Sequence, residues 1–285
     1  MNIGVVFPQT EFGNDPSLIK DFAQAAEELG YSHLLAYDHV LGAVHEGREP
    51  RLTGPYTERT PFHEPFVLFS FLAAVTGTLE FVTGVLILPQ RQTALVAKQA
   101  AELDVLSGGR LRLGVGTGWN WVEYDALNEN FHNRGRRQEE QIEVLRRLWN
   151  EEVVDYTGRW HRIDRANILP RPQNQIPIWL GGFSEPAFRR AARIADGFIF
   201  SRSGPESVQT MERVRGWVRE AGRDPDQFGI EAIQPFAAGP DKWAPYADTW
   251  RKAGATHISV VTMNAGLATP QDHIDAITKY AEAVM

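Results

Sequence analysis

The chain has 285 residues, 43% apolar and 23% charged, an ordinary globular composition with enough length to bury a sizeable core. A formal net charge of −7 gives a nucleic-acid backbone no bulk electrostatic help, so no nucleic-acid partner is expected. The absence of cysteine excludes disulfides, thiolate catalysis and cysteine-ligated metals.

The chain opens Met1-Asn2-Ile3-Gly4, with no basic stretch before an apolar run that would read as a signal peptide. No apolar run approaches the roughly 18 residues that span a bilayer, so a cytoplasmic protein with no membrane partner is expected. The first predicted strand is 3–7, followed by a helix over 16–29 that Gly30 stops. A strand at 33–37 leads into a Gly/Pro/Arg-rich loop over 41–62 carrying Arg48, Arg51, Tyr56 and Arg59. Next come a helix at 65–76, a strand at 80–86, and a helix at 93–106 closed by Ser107-Gly108-Gly109. The fourth strand, 111–115, precedes a long amphipathic helix at 134–149. The stretch 151–175, with Tyr156, Gly158 and Trp160, reads as a small hairpin ahead of the fifth strand at 176–180. A helix at 185–194 and strands at 197–200, 229–234 and 257–261 follow, with helices at 205–221, 242–253 and 270–284.

Eight strands alternating with helices point to parallel βαβ units. The expected fold is therefore α/β, a (β/α)8 TIM barrel with an inserted loop after strand two and a hairpin insertion before strand five. A doubly wound sheet is the competing topology. With no internal repeat or low-complexity tract, residues 1–285 are expected to form one domain.

Polar residues just beyond the C-terminal end of a barrel strand are the candidates for chemistry. Asp38-His39 stands there after strand two: a carboxylate beside an imidazole fixes its tautomer and suits proton transfer, and the same pair also suits a structural strand cap. Gly114-Val-Gly-Thr-Gly-Trp119 leaves strand four as GxGxG, unlike the GxGxxG of dinucleotide sites. Its glycines admit either a flat ligand or phosphate, or simply a tight turn at a crowded rim. Trp119 and Trp121 offer flat apolar surface above the barrel, for a ligand or for lid packing. After strand five, Gly181-Gly182-Phe183-Ser184 opens a helix, where backbone N–H groups suit an anion; ordinary capping competes, and Glu185 adds negative charge to that turn. Gly84 inside strand three marks a bulge or a close backbone approach. His45-Glu46, His63-Glu64 and His132 lack metal-ligand spacing, so no metal is expected. No G-x-S-x-G element supports a serine hydrolase, and no predicted strand ends in the lysine that a barrel aldolase ordinarily uses.

Taken in order, these stretches resemble the bacterial-luciferase-like superfamily of flavin and deazaflavin oxidoreductases. The residues are Phe7-Pro8, Tyr37-Asp38-His39, Thr83-Gly-Val-Leu-Ile-Leu-Pro89, Leu103-Asp-Val-Leu-Ser-Gly-Gly-Arg110, Gly114–Trp119, Phe131 with Arg134-Gly-Arg136, Pro177–Gly182, Ser184-Glu-Pro and Ala195-Asp-Gly197. The resemblance is strongest to the subgroup that uses coenzyme F420, with FMN as the alternative cofactor. It implies that His39 lies beside the deazaflavin ring as acid/base with Asp38 as its orienter. It also implies a non-prolyl cis peptide at Gly84–Val85, next to Leu86, buttressing the ring. Gly116, Thr117 and Gly118 would line the cofactor, and Gly181, Gly182, Phe183 and Ser184 would hold its phosphate. Phe7, Trp119 and Trp121 would wall the substrate pocket.

The sugar-phosphate dehydrogenases of this family carry a glutamate directly after the GxGxG turn and a tryptophan soon after the histidine. Here those places hold Trp119 and Val40-Leu-Gly-Ala43, which argues for a small, largely apolar organic substrate. The implied activity is hydride transfer between F420 and that substrate. FMN-dependent monooxygenation and a non-catalytic cofactor-binding barrel are the other readings, and a homodimer is the form the resemblance implies.

Overall fold

Residues 1–201 and 204–285 are described by a computed structural model. In chain order the elements are β1 (Asn2–Val6), α1 (Pro16–Glu28), β2 (His33–Ala36), α2 (Pro65–Ala73), β3 (Glu80–Thr83), β4 (Leu86–Ile87), α3 (Thr93–Ser107), β5 (Leu111–Gly116), α4 (Trp121–Ala126) and α5 (Arg134–Asn150). They continue with β6 (Val154–Thr157), β7 (Arg162–Ala166), β8 (Ile178–Gly181), α6 (Glu185–Ile194), β9 (Gly197–Phe200), α7 (Pro205–Glu220), β10 (Gly229–Pro235), α8 (Pro240–Ala253), β11 (His257–Val261) and α9 (Pro270–Val284).

Parallel pairing runs β3-β2-β1-β11-β10-β9-β8-β5, and a β3–β5 pairing joins the two ends. That last contact, Phe81 to Leu111 and Val82 to Arg112, turns a sheet into a closed eight-stranded (β/α)8 TIM barrel and excludes the doubly wound alternative. The predicted third strand is split. It stops at Thr83, and β4 resumes at Leu86 against Val115 of β5. The predicted hairpin is present as β6 and β7, antiparallel with an irregularity between Val154 and Tyr156. Glu140 of α5 clamps it by accepting from the backbone N–H groups of Arg159, Trp160 and His161.

Side chains alternate across each strand, so one set fills the barrel and the other meets the helices. Val6, Leu35, Val82, Trp179, Ile199, Ile233 and Met263 form the inner cluster. Val5, Leu34, Phe81, Leu113, Ile178 and Phe198 belong to the larger outer layer with the helices. Glycine fixes where large groups fit inside: a methyl at Gly4 would strike the His33 ring, and one at Gly229 would strike Trp179.

The N-terminal end of the barrel is plugged by charge. Glu231 accepts from Arg112 at 2.6 Å, Ser259 Oγ at 2.6 Å and His33 Nε2 at 2.9 Å, and Arg112 also meets Glu80 at 3.1 Å. Burial opposes the charge on Glu231, yet Arg112 and His33 hold its carboxyl well below the usual range. Arg112 also lies 4.3 Å over the Trp179 ring, which closes this floor from above. Among the described residues, no helix is long and apolar enough to cross a membrane.

Candidate active site

The C-terminal end of β2 delivers Asp38 and His39 to the barrel mouth, where they do different things. The buried Asp38 carboxylate accepts from Ile87 N at 2.9 Å and from Arg91 Nη2 at 2.8 Å. Arg91 extends the chain to Glu64, which caps α2 through Val67 N. Asp38 thus ties β2 to the segment after β3, and the expectation that it orients His39 is corrected. Its oxygens are committed to Ile87 and Arg91, whereas His39 Nδ1 meets Glu123, at 3.1 Å to Oε2 and 3.2 Å to Oε1.

Glu123 was not singled out from the sequence. It occupies the third position of α4, whose N-cap Asn120 accepts from Val122 N. An Asn followed three residues later by Glu is a helix-start signature, and that pattern was available in Asn120-Trp-Val-Glu123. Instead of turning back on its own helix, the carboxylate reaches across the mouth. It accepts from Val40 N at 2.8 Å, Leu41 N at 3.0 Å and Gln90 Nε2 at 3.2 Å. Burial works against its charge, but the His39 contact and the Leu41 and Gln90 donors outweigh it and hold the carboxyl below its ordinary range.

The other sides of His39 are aromatic. Ring centroids lie 4.8 Å away for Phe62, 5.2 Å for Tyr56 and 5.5 Å for Trp119, leaving the His39 side chain 9% exposed. Tyr56 and Phe62 come from the long 41–62 loop, which is packed over the mouth. His45 Nε2 meets Tyr56 O at 2.9 Å, Asn120 Nδ2 donates to Leu41 O, and Gly54 is seated so closely on Trp119 that any side chain there would collide with the indole. Trp121 lies under Arg48, 5.6 Å from its guanidinium, with its ring N–H buried and unpartnered. Phe7 is corrected as a pocket wall: it is fully buried against Phe12 and Phe22, because Val6 takes the inward parity and Phe7 faces the helices.

Around the rim the Gly84–Val85 peptide is cis. Val85 is partly exposed, and its isopropyl group sits where a methyl on Gly116 or Gly181 would need to be. Those two glycines therefore make room for a side chain of the protein itself. Gly118 has φ of 63°, a conformation that favours glycine, and Thr117 uses its carbonyl to accept from Tyr124 Oη at 2.7 Å. Leu86 is corrected as a cofactor contact: it is fully buried in the outer layer. At the end of β8 Gly181 is partly open, as is Gly182 beyond it, and Phe183 and Ser184 are exposed. The Ser184 side chain makes no capping bond, and the charge of Glu185 in that turn is met by Arg189 at 2.7 Å and Arg213 at 3.1 Å.

A family model, luciferase-like monooxygenase, matches residues 1–258 of this barrel. The chain belongs to the luciferase-like monooxygenase family. Among its relatives in this luciferase-like family, the uncharacterized protein Rv0940c of Mycobacterium tuberculosis is 36% identical over 237 residues, covering 81% of this chain and 82% of that protein. The F420-dependent glucose-6-phosphate dehydrogenase of Nakamurella multipartita is 31% identical over 223 residues, covering 76% of this chain and 62% of that enzyme. The crystal structure of the monooxygenase RslO1 from Streptomyces bottropensis shares the fold, with a TM-score of 0.82 at 21% identity, covering 99% of this chain and 98% of that chain. Luciferase-like family members are oxidoreductases and monooxygenases that act on small molecules, and this chain is placed in that class.

Proposed function

We propose that this protein is a coenzyme F420-dependent oxidoreductase that transfers a hydride between the deazaflavin and a small, largely apolar organic substrate. The observation that carries the reading is His39, tied through Nδ1 to a buried carboxylate and enclosed on its remaining sides by three aromatic rings. The 31% identity to an F420-dependent dehydrogenase supports the choice of cofactor. So does the fit of the mouth. Val85 offers a small apolar platform beside His39's strand, and the exposed β8–α6 turn offers backbone N–H groups in a place where Glu185 is already balanced by arginines.

When bound, F420 supplies a carbon that accepts or donates hydride. The chain does the rest. His39 takes up the proton of a substrate hydroxyl as hydride leaves the adjacent carbon, or returns it in the opposite direction. Tyr56, Phe62 and Trp119 exclude water and select apolar groups, and Asp38 with Arg91 keeps the rim in register. FMN-dependent oxygenation is the second reading, favoured by the likeness in fold to a monooxygenase.

Titration of the purified protein with F420 and with FMN, followed by fluorescence, separates the two. Tight F420 binding with weak FMN binding is expected, and the reverse order overturns the proposal. With the bound cofactor and a panel of small apolar alcohols, ketones and activated alkenes, His39→Ala is expected to lower turnover by roughly 10²–10⁴-fold. Full turnover in that variant sinks the acid/base assignment.

A further inference from the structure

We propose that Glu123 is a positioning residue that holds the neutral His39 ring in its Nδ1–H tautomer, leaving Nε2 as the proton acceptor inside the aromatic shell. The proposal rests on the reading of His39 as the acid/base but is decided by a separate measurement.

The argument starts from the four donors that converge on one carboxylate. Glu123 Oε1 receives the backbone N–H groups of Val40 and Leu41, Oε2 receives Gln90 Nε2, and both oxygens lie within 3.2 Å of His39 Nδ1. Glu123 is 1% exposed. The backbone N–H groups of Val40 and Leu41 can only donate, and an ionised carboxylate accepts only. The fourth partner, His39 Nδ1, must therefore carry the hydrogen. In a neutral ring with its hydrogen on Nδ1 the lone pair is on Nε2, to which none of the described residues hydrogen-bonds. In the shell around the ring, the titratable and charged neighbours are few. They are Glu123 from α4, Tyr56 from the loop with its hydroxyl pushed up by burial, His45 behind Trp119, and Asp38 paired with Arg91. Among the described residues, only Glu123 hydrogen-bonds to an imidazole nitrogen of His39.

The same geometry dictates what an isosteric amide would do. In Glu123→Gln the amide oxygen must take the Oε1 place, because Val40 N and Leu41 N both require an acceptor. The NH₂ group then falls at the Oε2 place and donates to His39 Nδ1. That inverts the tautomer: the hydrogen moves to Nε2, which becomes a donor. Gln90 can accommodate the change by turning its amide, since its Oε1 is buried without a partner.

The test is ¹⁵N NMR of the histidine rings in the full-length protein, with no cofactor or substrate added, at a pH where the ring is neutral. His39 resonances are assigned as those lost in His39→Gln. In the wild type the pyrrole-type nitrogen is expected at Nδ1 and the pyridine-type at Nε2; in Glu123→Gln the two are expected to exchange. A wild-type ring protonated at Nε2, or an unchanged tautomer in folded Glu123→Gln, overturns the proposal. If the variant does not fold, the wild-type spectrum still decides. A purely structural glutamate would leave the tautomer where it was. Failure of F420 binding would overturn the functional reading without moving these resonances, so the two can fall separately.

Discussion

Two of the histidine–glutamate contacts among the described residues lie at opposite ends of the barrel, His33 with Glu231 on the floor and His39 with Glu123 at the mouth. On the floor, His33 meets Glu231 with both side chains completely buried, and every direction is taken by Arg112, Ser259 or Ser32. At the mouth, His39 meets Glu123, but the described residues hold only one ring nitrogen and the remainder faces aromatic rings supplied by a loop. The pair of residue types is the same. What distinguishes them is the arginine: the floor carries a cation that saturates its glutamate, whereas the mouth offers only neutral amide donors and the imidazole itself. The end we propose for chemistry is the one where an imidazole is the strongest partner of the carboxylate.

The largest stability effect is expected on the floor. Arg112→Met leaves Glu231 buried without its cation and should cost about 3–5 kcal/mol in urea unfolding, since removing one partner of a buried pair strands the other. A loss under about 1 kcal/mol would mean the floor is not the coupled unit described above. Glu123→Ala should cost less, roughly 1–3 kcal/mol, because it abandons neutral amide donors and not a buried charge. If it matched Arg112→Met, the contrast between the two ends would dissolve.

The smallest effect is a slope with pH. Burial, reinforced by the Arg112 charge, pushes His257 on the floor down to about 3. An unfolded histidine titrates near ~6.5, so the folded protein binds fewer protons than the unfolded chain between those values. Stability is therefore full above about pH 6.5 and falls as pH drops, by up to about 1.4 kcal/mol per pH unit from this group. His273, also lowered by burial, adds to the same slope, while the depressed Glu231 enters only at more acid pH, below the ordinary glutamate range. Urea midpoints of His257→Gln measured from pH 7 to 5 should show a shallower decline than the wild type; an equal decline would clear His257 of this role.

Much of this was legible in the sequence, and the failures have two causes. The strand–helix alternation and the position of His39 follow from local pattern, and the resemblance named the cis bond at Gly84–Val85. Parity was not legible. Barrel strands are buried on both faces and read as continuous apolar runs, so nothing in Val5-Val6-Phe7 says which residue turns inward. The same ambiguity hid the floor, because Arg112 and Glu231 sit inside apolar runs. Glu123 was missed for another reason: its contact with His39 spans 84 positions, and a short helix-start signal cannot say that the side chain will leave its own helix. The glycines were half read. Their need for space was evident, but the occupant at Gly116 and Gly181 is Val85.

That arrangement has a consequence for how this enzyme can change. Gly116 and Gly181 form a mould cast around one isopropyl group, so neither position tolerates growth while Val85 stays. Shrinking Val85, in contrast, collides with nothing and opens space beside both glycines in a single step. The rim thus behaves as a ratchet in sequence space: change starts at residue 85, and only afterwards do the two glycines become free to vary.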